Sequence, residues 1–352
     1  MTEAFSRHAD ITLWVAGIGG KKKEVLESYG VKGDLAIKEL PASSGILWPR
    51  SFFRALAFRR VVRKAPEGTV FYTREGLLAF PLIFASRRFR NNFFYEMHSF
   101  TRHKQFVYRV ISYFARGIIS TSESKVETLQ TTFGVSRERV LVAPNVLDPA
   151  DFIDMPSQQD ARNDLHISGE KPVIVFTGRP SALRGIDLIL ELALRMKGRA
   201  TFICVGGAQR EIDCLHGKFG FDQIIFIPFV PHKDIMRYMA AADILIAPQS
   251  ARQEFEEVSR HSSPMKVLEY MATGTPSLFS RIPAIEKIVG ADNSFLVEPD
   301  SPEAWERKIA YVLDHNSEVK EQVSKMRQHA LTFHWEGRAT VILEFLKKRY
   351  HG

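Results

Sequence analysis

The sequence predicts an α/β protein built from two tandem Rossmann-like, doubly wound domains. Three observations predict it. Short apolar runs of four to seven residues alternate with helical patterns along the whole chain. The runs are apolar on both faces, which marks strands of parallel sheets covered by helices on each side. With 352 residues, the chain is long enough for two ordinary domains.

In the first half the strands are read as ITLWVAG (11–17), TVFYTR (69–74), FFYEMH (93–98), GIISTS (117–122) and RVLVAP (139–144). Helical patterns fall at 49–64, 103–116 and 122–133. In the second half the strands are PVIVFTG (172–178), TFICVGG (201–207), IIFIPF (224–229), DILIAP (243–248), PSLF (276–279) and SFLVEP (294–299). The helices between them read as 185–197, 208–219, 232–242, 264–273, 284–290 and 302–315. The stretch 147–171, with Pro149, Pro156, repeated Asp and Gly169, has the composition of a linker. The domains are therefore expected at 1–165 and 166–334.

Composition bounds the function. Apolar residues make up 45% and charged residues 25%, so coiled-coil, collagen-like and disordered classes are excluded. Two cysteines, Cys204 and Cys214, cannot form a disulfide framework or a four-cysteine zinc site, and buried thiols are expected. There is no spanning apolar run and no apolar segment at the N-terminus, so a cytoplasmic location is expected. Charge is uneven. Residues 1–150 hold 23 Lys+Arg against 13 Asp+Glu, whereas residues 151–352 hold 25 against 27. The basic half suits an anionic partner, or it is a solvated basic face. No nucleic-acid module is visible, and no nucleic-acid partner is expected.

Ligands of open α/β sheets bind beyond the carboxyl ends of the strands, so the loops there carry the candidates. In HSSPMKVLEYMATGTP (261–276), Ser263 suits an N-cap and Pro264 the first helical position. Lys266 in the first turn opposes the helix dipole unless an anion sits there. Ser262, Ser263, bare N–H groups and Lys266 thus read as a phosphate site, with Glu269 one turn on for ribose hydroxyls. The plainer reading is a capped helix with a surface Lys–Glu pair. In FTGRPSALRGIDLIL (176–190), Gly178 allows close backbone approach, and Arg179 and Arg184 could hold a diphosphate through bidentate bonds. Two solvated loop arginines are the alternative. No phosphate fingerprint of a nicotinamide dehydrogenase follows any strand. In FFYEMHSF (93–100), Glu96 and His98 lie two apart and share a strand face at the carboxyl edge.

Taken together, FFYEMHS, STSESKVETLQTTFGV, RVLVAPNVLDPADF, FTGRPSALRGIDLI, FVPHKDIMRYMAAADILIAP, SPMKVLEYMATGTP and HWEGRATVILEFL resemble glycosyltransferase family 4, the glycosyl transferases group 1 with the GT-B fold. The resemblance covers about residues 66 to 345. It implies an interdomain cleft, with a nucleotide diphosphate sugar held by the second domain and a glycan or lipid-linked acceptor by the first. It also implies that helix 335–352 packs back on the first domain. Arg179 and Arg184 map to the diphosphate clasp, Arg184 standing where the family usually has Lys. Lys266 joins them, Glu269 maps to the ribose, Val230 and Pro231 to the base, and His98 to the transferred sugar. Gly178, His261, Ser262, Ser263, Pro264 and Met265 complete the donor site. His261 replaces the acidic residue usual at its position. The resemblance further implies retention, no cofactor and no obligatory metal, and a role in cell-surface polysaccharide or lipopolysaccharide synthesis. A catalytically silent nucleotide-sugar-binding homologue is the alternative. MTEAFSRHAD reads as the end of a first helix, so the family's first strand and Gly-rich loop are expected to be missing.

A membrane surface is a further expected partner, placing the protein peripherally on the inner face of the plasma membrane. LWPRSFFRALAFRRVVRK (47–64) mixes Trp48, Phe52, Phe53, Leu56 and Phe58 with six basic residues, and SRRFRNNFF (86–94) repeats the mixture. Such stretches suit anionic lipid, or they are core-facing helices with a solvated basic side.

Overall fold

The computed structural model describes residues 1–16, 19, 24, 26, 35–40, 50–98, 100, 104–167, 170–219, 224–256, 259, 265–290 and 295–351. The chain divides into two compact units, Met1–Pro144 with Trp335–Gly352, and Asn145–His334.

The first unit carries strands β1 (Thr12–Ala16), β2 (Ala36–Leu40), β3 (Phe71–Thr73), β4 (Phe93–Met97), β5 (Gly117–Ser120) and β6 (Val140–Val142). All pair in parallel. They form two sheets: β1 with β2, and a four-stranded sheet in the order β3-β4-β5-β6. Among the described residues, β1 pairs only with β2, and β3 only with β4. The helix Thr2–Ser6 buries Ala4 and Phe5 against Ala339, Ile342 and Leu346 of the helix Trp335–His351. Strands β4 and β5 are buried throughout, as their continuous apolar runs require.

The second unit carries β7 (Val173–Thr177), β8 (Thr201–Val205), β9 (Ile224–Ile227), β10 (Ile244–Ala247), β11 (Ser277–Ser280) and β12 (Leu296–Val297). They form one parallel sheet in the order β12-β11-β10-β7-β8-β9. The chain leaves β7 toward β8 on one side and later returns to β10 on the other. The crevice between the carboxyl ends of β7 and β10 is therefore the topological switch point, where doubly wound sheets bind their ligands.

Several expectations change. The stretch 147–171 is not a free linker. Leu147 and Phe152 enter the core of the second unit. The helix Gln158–Asp164, capped by Ser157, anchors through Arg162 to Asp243 at 2.6 Å. Residues 145–165 therefore cluster with the second unit, where Leu147, Phe152 and Arg162 find their partners. Strand β2 and the helices Gly76–Ala85 and Asn316–Leu331 were not read from the sequence. GLLAFPLIFA is apolar around its whole circumference and contains Pro81, so it shows no helical period. Of the cysteines, Cys204 is buried in β8 and Cys214 is exposed. Burial pushes the Cys204 thiol up to about 12, so it is an inert core group.

Candidate functional site

Strand β7 ends at Thr177, and Gly178 follows with φ +118°, a conformation that L side chains rarely adopt. A Cβ on Gly178 would lie 2.8 Å from Lys266 Nζ and 3.2 Å from Arg184 Nη1. Two cations thus converge on the bare face of one glycine. Gly185 (φ +72°) turns the loop over the end of β10, and a Cβ there would lie 1.8 Å from the Pro248 carbonyl oxygen. The Gly178–Gly185 loop therefore sits at the switch point between β7 and β10.

Lys266 belongs to the first turn of the helix Met265–Thr273. Its ammonium donates to the Thr177 carbonyl and lies 3.9 Å from the centroid of the Phe176 ring. Burial, with the nearby Arg184 guanidinium, lowers Lys266 to about 7. The site therefore holds more positive charge than its protein partners neutralise, and an anion settling there would draw Lys266 back to its charged form. Tyr270, one turn on, is fully buried and fixes the end of β7: its hydroxyl accepts from Thr177 N–H at 2.7 Å.

Glu269 is half-buried on the same helix. Burial raises its carboxyl; His232 and Lys266 oppose that shift and Asp151 adds to it. Three elements distant in sequence thus bring Asp151, His232 and Glu269 within electrostatic reach of one another. Val230 is half-buried against the core, while Pro231 is exposed. Sequence reasoning missed Phe229. Its ring is 77% exposed, and its N–H bonds the Gly207 carbonyl at 2.9 Å, on the loop after β8. A ring held in water beside two strand ends is a natural platform for a planar base, and its position next to Val230 was the available signal.

Arg179 stands differently from the expectation. Its Nε donates to Glu211 Oε1 at 2.5 Å, and Glu211 also accepts from Ala208 N–H. The guanidinium is thus spent on the start of the helix Gln209–Phe219, while Arg184 and Lys266 meet at Gly178. Met265 is exposed. His261, Ser262, Ser263 and Pro264 lie outside the described residues.

In the first unit, His98 follows β4 and is bonded to Glu96, whose side chain is 1% exposed. Glu96 also accepts from Tyr72 and from Arg338 of the C-terminal helix. Lys125 is buried nearby and donates to Thr121 at 2.5 Å; burial lowers it to about 8. No group of three or more His, Cys, Asp or Glu able to hold a metal occurs among the described residues.

The aromatics expected at a membrane are rearranged. Phe93 and Phe94 of the 86–94 stretch are core residues because strand β4 is buried on both faces, and Phe89 of the short helix Arg87–Asn91 stacks on Phe93. Trp48 and the side chains of Phe52 and Phe53 lie outside the described residues. Phe58 packs on the core and Leu56 is exposed. Exposed rings occur instead at Phe84, Phe106 and Tyr113, on the helices Gly76–Ala85 and Gln105–Phe114. Phe80 joins Phe84 and Phe106 edge-on, and Arg90 covers Phe114.

Residues 171–315 match the family described as glycosyl transferases group 1. The chain is 24% identical over 240 residues to the D-inositol 3-phosphate glycosyltransferase of Xylanimonas cellulosilytica, covering 64% of this chain and 55% of that one. It is 25% identical over 246 residues to the enzyme of the same name from Corynebacterium urealyticum, covering 65% and 56%. The chain thus spans about half the length of the curated relatives it matches. Among solved structures, sucrose-phosphate synthase from Thermosynechococcus elongatus superposes with TM-score 0.76 at 18% identity, covering 99% of this chain and 92% of that one. Anabaena Alr3699/HepE, in complex with UDP and glucose, gives 0.75 at 20% identity, covering 98% and 94%. WaaG, a glycosyltransferase involved in lipopolysaccharide biosynthesis, gives 0.63 at 15%, covering 96% and 99%. The chain therefore has the fold of the GT-B glycosyltransferases and resembles the glycosyl transferases group 1, whose family its residues 171–315 match.

Proposed function

We propose that this protein is a glycosyltransferase that moves a hexose from a nucleotide diphosphate sugar to a glycan or lipid-linked acceptor, with retention and without a resident metal. The convergence of Lys266 and Arg184 on Gly178 at the switch point of the second sheet carries this reading. A diphosphate is the anion that suits two cations and a bare backbone face at that crevice. Glu269 would accept from ribose hydroxyls, and Val230, Pro231 and Phe229 would flank the base. As the glycosidic bond breaks, negative charge grows on the departing diphosphate, and Lys266 and Arg184 stabilise it there. His98 would contact a sugar hydroxyl. The complexes of HepE with UDP, and with UDP and glucose, support a nucleotide-sugar donor. The likeness to WaaG, a glycosyltransferase involved in lipopolysaccharide biosynthesis, supports a role in cell-surface polysaccharide or lipopolysaccharide synthesis.

Isothermal calorimetry with UDP-glucose, ADP-glucose and GDP-mannose tests the reading, followed by an assay for release of nucleoside diphosphate. Binding of one donor, with release in the presence of acceptor lipid or glycan, is expected. Binding without release favours a nucleotide-sugar-binding protein that does not turn over. Binding of none overturns the proposal.

The acceptor side is proposed to meet an anionic membrane surface through Phe84, Phe106 and Tyr113, flanked by Arg90 and Arg109. No helix among the described residues is long and apolar enough to cross a membrane. Exposed rings beside arginines suit shallow insertion below anionic headgroups. Flotation with phosphatidylglycerol liposomes is expected to carry the wild-type protein upward and to leave F84S/F106S behind. Equal flotation of both would remove this face from the account.

A further inference from the structure

The Glu96 carboxylate gathers three donors. His98 Nε2 lies 2.8 Å from Oε1 and Arg338 Nη2 lies 2.6 Å from the same oxygen, while the Tyr72 hydroxyl donates to Oε2. Arg338 is itself clamped, its Nε donating to the Pro144 carbonyl at 2.8 Å and its Nη2 to the Ala143 carbonyl at 3.1 Å. The carboxyl cannot move to suit His98; the imidazole must suit the carboxyl. Burial pushes Glu96 up, but the bonds from His98 and Tyr72 and the charge of Arg338 bring it down to about 2. At neutral pH it is an ionised, acceptor-only group. Whatever nitrogen faces it must carry a proton.

We propose that Glu96, held by Arg338 and Tyr72, is a positioning residue that fixes the His98 imidazole as the Nε2–H tautomer and presents Nδ1 as a hydrogen-bond acceptor. The Glu96 charge is already matched by Arg338 at 2.6 Å. The His98 side chain is 37% exposed, and Nδ1 makes no hydrogen bond to a described residue. An acceptor nitrogen there selects a ligand that presents a hydroxyl or N–H donor, and rejects one that presents only acceptors. A carboxylate that orders an imidazole through one nitrogen and so frees the other is a familiar second-layer device. The nature of the hydroxyl-bearing ligand rests on the glycosyltransferase reading above; the tautomer does not.

The test is a ¹⁵N–¹H correlation spectrum of the histidine rings in the full-length protein, labelled at histidine, at pH 7.5. The His98 signals are assigned by their loss in H98Q. A protonated Nε2 and an unprotonated Nδ1 are expected in the wild type. E96Q keeps a carbonyl oxygen to accept from His98 and is expected to keep that pattern. E96L/R338M removes both buried charges together and is expected to give averaged shifts from two exchanging tautomers. The inference is overturned by a wild-type ring protonated at Nδ1, whether alone or at both nitrogens. It is equally overturned if E96L/R338M retains the wild-type pattern. The wild-type spectrum decides the matter even if the double variant does not fold, and a chain that binds no sugar nucleotide leaves the spectrum unaltered.

Discussion

Lys266→Ala lowers turnover of the donor by about 10²–10³-fold, the scale of removing one preorganised group that meets growing negative charge. The ammonium is the charge brought closest to the glycine face, 2.8 Å from where a Cβ would sit, and it is anchored by the Thr177 carbonyl and the Phe176 ring. The loss is expected in kcat more than in stability. Arg184→Ala costs less, about tenfold, because that side chain is exposed and screened by solvent. Arg179→Ala is milder still on turnover, since its bonds are to Glu211. Steady-state release of nucleoside diphosphate from the three variants checks the order. Equal losses in all three would restore the two-arginine clasp expected from the sequence.

Arg338→Met destabilises the first unit more than any substitution at the second unit's anion site. The Glu96–Arg338 pair is buried, with 1% and 3% of the side chains exposed. Removing one partner strands the other charge, at a cost of about 3–5 kcal/mol. For a unit of this size that lowers Tm by about 10 °C or more. Removing both charges in E96L/R338M recovers much of the loss, because neither ion is then left unpaired. The pair also sets an acid limit. The Glu96 carboxyl is lowered to about 2 when folded and lies near 4.3 when unfolded. Its contribution is complete above the unfolded value and is lost as pH falls from there toward 2. Thermal melts at pH 7 and pH 3 check this: the gap between wild type and Arg338→Met narrows in acid. A gap that stays constant would mean that the pair does not act through ionised Glu96.

The second sheet was legible because its strands are apolar on both faces and punctuated by glycine and proline. Five of the six strands fall inside the runs that predicted them, and β11 extends one residue past its run, to Ser280. Lys266 was legible for a different reason: a cation in a first helical turn needs an anion to explain it. Contacts set by distant partners could not be read. Arg179 is captured by a glutamate 32 residues away, and Glu96 by an arginine 242 residues away. Nothing in the local pattern of either residue names its partner. The SRRFRNNFF stretch misled because mixed basic and aromatic composition looks alike on a surface helix and at the entry to a buried strand. There the rings of Phe89 and Phe93 stack inside the core. Phe84 escaped notice because GLLAFPLIFA has no polar face to set its apolar face apart.

The donor titration, repeated from pH 6 to pH 9 with UDP-glucose, tests most directly whether a diphosphate lodges on Lys266 and Arg184. The two phosphates of this ligand keep their charge throughout that range and contribute no slope. Lys266, lowered to about 7 by burial and by Arg184, is charged below that pH and neutral above it. Above pH 7 binding must therefore take up a proton. The expected affinity is level below pH 7 and falls above it, by up to about tenfold per pH unit, with proton uptake visible in buffers of different ionisation heat. The slope disappears in Lys266→Ala. An affinity flat from pH 6 to pH 9 in the wild type, or the same slope in Lys266→Ala, would contradict the placement of the diphosphate at this site.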